Sequence, residues 1–249
     1  MSRELISKTA NKSIYRDGDK IYKEFVEGFP KDEVFNEAFI NSRVEAILGQ
    51  YVPKVLSVEC IDGKWTMVRE YIDGETLEEL IKKNSDKKEE YLSQMLDLQL
   101  KLHNYQAPKL RQIKDKMKRQ INELNGIDEG TRFDLLSKLA ATPLHRKLCH
   151  GDFRPSNIIV DNDGNYHIID WVHATKGNAS ADIARTYLIL ALSDQESADW
   201  YLKNFCERTK TSIDYVQNWL PLVAAAQLTK HREEEQALLE RWTSICDYT

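Results

Sequence analysis

Residues 148–171 read Leu148-Cys149-His150-Gly151-Asp152-Phe153-Arg154-Pro155-Ser156-Asn157-Ile158-Ile159-Val160-Asp161-Asn162-Asp163-Gly164-Asn165-Tyr166-His167-Ile168-Ile169-Asp170-Trp171, and the fold is decided here. Three acceptor side chains punctuate the stretch: Asp152, Asn157 five residues on, and Asp170 thirteen further. Residues 158–160 and 166–169 are short runs rich in β-branched and aromatic residues, and the turn-formers at 161–165 separate them, which predicts a hairpin. A hairpin folds its ends back side by side. Asn157, before the first strand, and Asp170, at the end of the second, are therefore expected to converge, with Asp152 on the loop that leads in.

Two oxygen ligands beside a separate carboxylate are what phosphoryl transfer with Mg²⁺ requires. The ion is hard, takes one or two protein oxygens, and leaves phosphates and water to complete its shell. The remaining carboxylate orients an acceptor hydroxyl and takes up its proton. Asp/Asn-rich hairpins with a nearby His are usually surface turns; the full spacing, and the partners found elsewhere in the chain, set this one apart. His150-Gly151-Asp152 with Asn157 follows the kinase catalytic-loop pattern H-R-D, four residues, Asn, with Gly151 in place of the Arg. His-Gly-Asp here, with Asp170-Trp171 where protein kinases have D-F-G, resembles the aminoglycoside phosphotransferase and choline kinase family of small-molecule kinases.

The whole chain is consistent with that class. Its 249 residues suffice for one large or two modest cores. Hydrophobic content of 41% and charged content of 30% describe an ordinary globular protein. A net charge of -5 argues against nucleic-acid or anionic-membrane partners. Met1-Ser2-Arg3-Glu4 opens no signal-peptide pattern, and the longest apolar run, residues 187–192, is too short to span a bilayer. Cys60, Cys149, Cys206 and Cys246 form no C-x-x-C pair, so they are expected as free thiols in a reducing cytoplasm. Cys149 beside His150 suggests a thiol nucleophile only weakly, since adjacent residues seldom face each other.

Strand-like runs lie at 5–6, 14–15 and 20–25, and in Lys20-Ile21-Tyr22-Lys23-Glu24-Phe25 alternation predicts one buried face. By pattern alone Lys23 reads as a solvated strand lysine. Residues 32–48 have helical period, with Val34, Phe35, Ala38, Phe39, Val44, Ile47 and Leu48 as the apolar stripe and Gly49 as the stop. A strand lysine followed by a helical glutamate is the pair that fixes a phosphate-binding lysine in kinases. The resemblance makes Lys23 that lysine and Glu37 its partner, with Glu33 and Glu45 as alternatives. There is no G-x-G-x-x-G; the resemblance implies instead a phosphate contact from Ser13 in the turn 9–13, where an ordinary polar turn is the alternative. Strands at 55–61 and 65–72 follow, and the link Arg69-Glu70-Tyr71-Ile72-Asp73-Gly74 precedes a helix. The resemblance places adenine against backbone groups of Glu70 and Ile72; Met67 is expected in the core.

The remainder reads as helices over 75–82, 89–104, 109–124, 131–139, 195–208, 212–230 and 231–246, with one more running through Leu192 and capped by Ser180 or Asn178. Lys109, Arg111, Lys114, Lys116, Lys118 and Arg119 form a basic cluster, expected as a solvated face. Trp200, Tyr201, Trp219, Trp242 and Tyr248 are expected mainly in the core, and Glu233-Glu234-Glu235 as an exposed acidic helix start. Asp182 corresponds by resemblance to a carboxylate that braces the catalytic loop, or is a first-turn residue complementing its helix dipole. Only residues 171–181 separate it from Asp170, which leaves no room for the long segment that holds polypeptide substrates in protein kinases.

The resemblance thus implies an α+β, bilobal protein-kinase-like fold: a small antiparallel-sheet N-lobe at 1–72 and a mostly helical, catalytic and acceptor-binding C-lobe at 73–249. It implies a kinase using ATP and Mg²⁺ on a hydroxyl of a small-molecule acceptor. Asp152 is the base, Lys23 and Glu37 serve the phosphates, and Asn157 and Asp170 hold the metal. His150, Arg154 and Asp182 stand in support. An atypical protein kinase, or a nucleotide-binding regulator without transfer activity, are the alternatives.

Overall fold

The computed structural model describes residues 3–229 and 233–243. In chain order the elements are β1 (Glu4–Lys8), β2 (Lys12–Asp17), β3 (Lys20–Phe25), α1 (Lys31–Leu48), β4 (Val55–Ile61), β5 (Lys64–Glu70), β6 (Gly74–Thr76), α2 (Leu77–Lys83), α3 (Lys88–Leu102), α4 (Ile113–Glu123), α5 (Glu129–Ala141), β7 (Lys147–Cys149), β8 (Ile158–Asp161), β9 (Tyr166–Ile168), β10 (Thr175–Gly177), α6 (Ala179–Ala191), α7 (Gln195–Thr209), α8 (Ile213–Gln217), α9 (Leu220–Leu228) and α10 (Glu233–Thr243). They fall into two compact units, residues 1–85 with 155–173, and 86–154 with 174–249.

In the first unit, an antiparallel sheet runs β1-β2-β3-β5-β4. Asp62 and Gly63 both take positive φ, 50° and 79°, as a tight hairpin turn whose twist matches its strands requires. Helix α1 covers the sheet, and Phe25, Val34 and Met67 form the core with Phe29, Ala38, Val55, Val58 and Trp65 around them. The buried stripe of α1 is Val34, Glu37, Asn41, Val44 and Leu48, spaced 3, 4, 3 and 4. Phe35 and Phe39, expected inside, are instead 46% and 48% exposed. They lie one flank away, where Trp65 meets Phe35 edge-on and Arg43 covers Phe39. Two polar residues take the inward positions because each has a buried partner: Asn41 donates to the Pro53 carbonyl at 3.2 Å, and Glu37 meets Lys23.

The hairpin forms as predicted, with Ile158 opposite Ile168 in β8 and β9. Strand β6, not anticipated, pairs with β8, and Gly74 lies so close to it that a Cβ would stand 2.2 Å from the Val160 carbonyl oxygen. Thr76 then starts α2 with a reciprocal cap to Glu79. At the hairpin tip, Asp161 gathers the turn: its Oδ1 accepts the amides of Asp163 (3.0 Å) and Asn165 (2.8 Å), and its Oδ2 meets His167 Nε2 at 2.9 Å.

In the second unit α6 is buried on nearly every side, so its residues show no single apolar stripe. Asn178 caps it, its Oδ1 accepting the Ser180 amide. The helix expected over 109–124 begins only at Ile113, because residues 108–110 form a turn and the chain then leads into a cap by Gln112. The basic cluster is therefore not one helical face. Lys114 is spent on the Ala140 and Thr142 carbonyls that end α5. The helix expected over 212–230 is two, α8 and α9, divided near Trp219 and Pro221. Tyr201 and Trp219 are buried in the core, while Trp242 stacks on Tyr187. Glu235, expected exposed, is buried against Gln227. The side chains of Glu233 and Glu234, together with His231, Cys246 and Tyr248, lie outside the described residues.

The Asp161 wiring has a pH consequence. The His167 contact, followed by the Asn165 amide, pulls the Asp161 carboxyl down to about 2. A depressed carboxyl contributes stability above its unfolded value, near 4, that is lost as pH falls through about 2. Thermal melts between pH 5 and pH 2 are expected to fall less steeply for Asp161→Asn than for the parent, with the variant the less stable at pH 7.

Candidate active site

Lys23 sits on β3 directly across from Ile14 on β2 and Met67 on β5, so all three leave the same sheet face. That face is the buried one, which also holds Ile21 and Phe25. Lys23 Nζ contacts Glu37 Oε1, and their side chains are only 7% and 11% exposed. Of the three glutamates of α1, geometry thus selects Glu37; Glu33 is exposed and Glu45 lies off the buried stripe. Burial lowers the Lys23 ammonium below the usual lysine range, against the pull of the Glu37 and then the Asp170 carboxylates. Arg69, two residues along β5 from Met67 and hence on the same face, is a second cation there. Burial lowers it too, while Asp170 and Glu37 pull the other way. Sequence inspection passed over Arg69; its signal was an arginine at an inward position of an apolar strand.

The hairpin ends meet as expected. The Asn157 carbonyl accepts the Ile169 amide at 2.9 Å, one rung past the Ile158–Ile168 pair, and Asp170 is the next residue. Asp170 takes φ 61°, a left-handed conformation that aspartate tolerates better than most residues. Behind it Trp171 is buried and donates Nε1–H to the Ile168 carbonyl at 2.8 Å. The first unit therefore brings together Lys23, Glu37, Asn157, Asp170 and Arg69.

Ser13 is not drawn into this group. It lies within β2 instead of the preceding turn and opposes Glu24, so its side chain leaves the face opposite Lys23. Glu70 ends β5 with its amide already given to the Lys54 carbonyl, whereas the amide of Ile72 has no backbone partner among the described residues.

The second unit holds residues 150–154, the loop expected to be catalytic. Gly151 has φ 78°, a conformation glycine adopts freely, which explains glycine where kinases have arginine. Its amide donates to Asp182 Oδ1 at 2.7 Å, and its carbonyl accepts from Arg185 Nε at 3.3 Å. The His150 amide donates to Asp182 Oδ2 at 3.2 Å. The His150 ring accepts the Asp152 amide on Nδ1 at 3.2 Å, so that nitrogen carries no proton and the ring shapes the loop. Asp152 is buried, and Arg154 Nε stands 3.3 Å from its Oδ2, a contact not foreseen.

Asp182 is the hub. Besides the two loop amides it accepts from His103 Nε2 and Gln99 Nε2, both at 3.0 Å. Burial would push its carboxyl up, but the bonds from His103, Gln99 and Gly151 outweigh it and hold the group below the usual range. His103, Cys149 and Asp182 offer ligand atoms within 4.8 Å of one another. Four N–H donors already use the carboxylate, and burial followed by the Asp182 charge pushes the Cys149 thiol well up.

Comparison with known proteins shows the family. The model of the phosphotransferase enzyme family (APH) matches residues 31–209. The chain belongs to that family. No curated protein sequence matches it. Among solved structures it is similar to a thermostable mutant of aminoglycoside phosphotransferase APH(4)-Ia, with TM-score 0.71 and 13% identity over 99% of this chain and 94% of that one. Choline kinase LicA from Streptococcus pneumoniae gives TM-score 0.71 and 16% identity over 100% and 94%. An aminoglycoside-3'-phosphotransferase of type VIII gives 0.66 and 17% over 94% of each. The fold of this phosphotransferase is accordingly protein-kinase-like and α+β, with the antiparallel sheet N-terminal and the helices C-terminal. Among the described residues no helix is long and apolar enough to cross a membrane.

The Lys23–Glu37 pair can be tested without any substrate. Removing one member of a buried ion pair strands the other charge, at a cost of about 3–5 kcal/mol. Urea unfolding is expected to show that loss for Glu37→Leu and recovery of most of it in Lys23→Met/Glu37→Leu.

Proposed function

We propose that this phosphotransferase moves the γ-phosphate of ATP to a hydroxyl of a small molecule. The observation that carries the reading is the buried Lys23–Glu37 pair, close enough to Asp170 for that carboxylate to act on the lysine. Lys23, kept in place by Glu37, binds the nucleotide phosphates. Asn157 and Asp170 supply hard oxygen donors on adjoining ends of one hairpin, a set that fits Mg²⁺. They would hold the ion, which when bound supplies positive charge against the β- and γ-phosphates. The adenine is assigned to the Glu70 carbonyl and the Ile72 amide, and the turn at 9–11 replaces the Ser13 hydroxyl as the phosphate loop, acting through its backbone. Asp152 orients the acceptor hydroxyl and receives its proton as the new O–P bond forms and the bond to the β-phosphate oxygen breaks. His150 and Asp182 hold the loop that carries Asp152, and Arg154 keeps its carboxylate oriented.

In functional terms residues 1–72 serve the nucleotide and 73–249 carry catalysis and the acceptor, although the hairpin at 155–173 packs with the first unit. A small acceptor fits the eleven residues, 171–181, between Asp170 and Asp182, which are occupied by a short turn, β10 and the α6 cap. It also fits the neighbours: one APH(4)-Ia structure holds ADP and hygromycin B, and one LicA structure holds AMP. We carry over the class of acceptor and no particular compound, because sites and not folds set substrates. A cytoplasmic setting belongs to this reading, in keeping with Cys60, Cys149 and Cys206 as free thiols.

The test is ATP consumption with Mg²⁺ against pooled aminoglycosides, amino alcohols and sugar-like alcohols. One pool is expected to turn over, and Asp152→Asn to lower kcat by about 10²–10⁴-fold with little change in MgATP affinity. Phosphate appearing only on protein would favour a protein kinase. Nucleotide binding without transfer to anything would favour a regulator, and absence of MgATP binding would sink the reading.

A further inference from the structure

Gln99 on α3 is fully buried, and every polar atom of its amide is engaged. Its Nε2 donates to Asp182 Oδ2 at 3.0 Å and to Thr186 Oγ1 at 3.0 Å. Its Oε1 accepts the hydroxyl of Tyr201, itself fully buried on α7, at 2.8 Å. Thr186 passes its own proton back to the Asp182 main-chain carbonyl at 3.2 Å.

The direction of this chain of bonds is forced. A carboxylate only accepts, so the amide must turn its NH₂ toward Asp182 and its carbonyl away. The carbonyl then needs a donor in a dry interior; Tyr201 supplies the short bond, and the Thr186 hydroxyl stands 3.4 Å from the same oxygen. Were the Tyr201 hydroxyl missing, that side of the amide would keep only the long contact to Thr186, whose one proton also serves the Asp182 main-chain carbonyl. A flipped amide would set its carbonyl oxygen against the carboxylate. Asp182 in turn holds the amides of His150 and Gly151, the two residues immediately before Asp152.

We propose that Gln99, locked end-for-end by Tyr201, is a positioning residue that fixes the Asp182 carboxylate and through it the backbone of the catalytic loop. The proposal rests on the kinase reading only in its last step, from loop to turnover. It assigns to α3 and α7 a part in catalysis that acts through the loop.

The experiment compares Gln99→Met, Tyr201→Phe and the double variant with the parent, and uses Leu135→Ala, buried in α5 outside the network, as a control for lost stability. Amide hydrogen exchange is read at His150 and Gly151 without nucleotide, and kcat and KM for MgATP are read well below the melting temperature. Gln99→Met is expected to speed exchange at those two amides relative to the control and to lower kcat about tenfold, with KM for MgATP nearly unchanged. Tyr201→Phe is expected to do the same to a smaller extent, and the double variant to be no worse than Gln99→Met, since the hydroxyl acts through the amide. Exchange at His150 and Gly151 no faster than in the control would overturn the proposal. So would faster exchange with unaltered kcat, or full additivity of the two substitutions. If Gln99→Met does not fold, Tyr201→Phe decides by the same criteria. If the parent transfers phosphate to nothing, the kinase reading has failed, and the exchange measurement alone confirms or overturns the brace.

Discussion

An ionised group taken out of water must be compensated where it stands, and the folding of this chain is arranged around two such places. In the first unit an ammonium and a carboxylate, Lys23 and Glu37, face each other from a strand and a helix. In the second a lone carboxylate, Asp182, is surrounded by N–H donors from α3 and from the catalytic loop. Desolvation works against both, so each persists only while its partners are held at bonding distance. The apolar packing around them supplies that rigidity. In α1 the core-facing row gives up two positions to polar residues, a concession that makes sense only if those residues are needed inside.

Much of this was legible in the sequence, for a physical reason. Asp152, Asn157 and Asp170 lie on a local motif, and local motifs write their geometry into spacing and turn residues. Lys23 and Glu37 were paired through the family likeness, since alternation alone made Lys23 a solvated strand lysine. What escaped was tertiary. Gln99 and Tyr201 are separated by 102 residues, and His103 and Asp182 by 79, so no window of sequence contains either pair. Phe35 and Phe39 misled because apolar character was read as inward direction, whereas the burying row runs through Glu37 and Asn41. Ser13 misled through register: a shift of one residue along a strand exchanges the faces of a sheet. The brief strands β6, β7 and β10 carry too few residues to show any period.

The fold is shared with solved structures at 13–17% identity. A handful of compensated charges and the glycine conformations beside them tolerate little change, while the apolar remainder needs only volume and pattern. The acceptor has no such signature here, since the residues that would recognise it answer to a particular compound and to nothing in the architecture.

The hairpin tip has a consequence for how such chains diverge. Asp161 closes the turn on itself, and at Gly164 a Cβ would meet nothing within 4 Å. Asn157 and Asp170 are kept adjacent by the rungs below, from Ile158–Ile168 to the Asn157–Ile169 bond. A lineage that lengthened the tip would thus alter the count of residues between Asn157 and Asp170 without moving either of them. What such a change leaves in place is a rung of a ladder, and a search that insists on thirteen residues would overlook a chain in which that rung is intact.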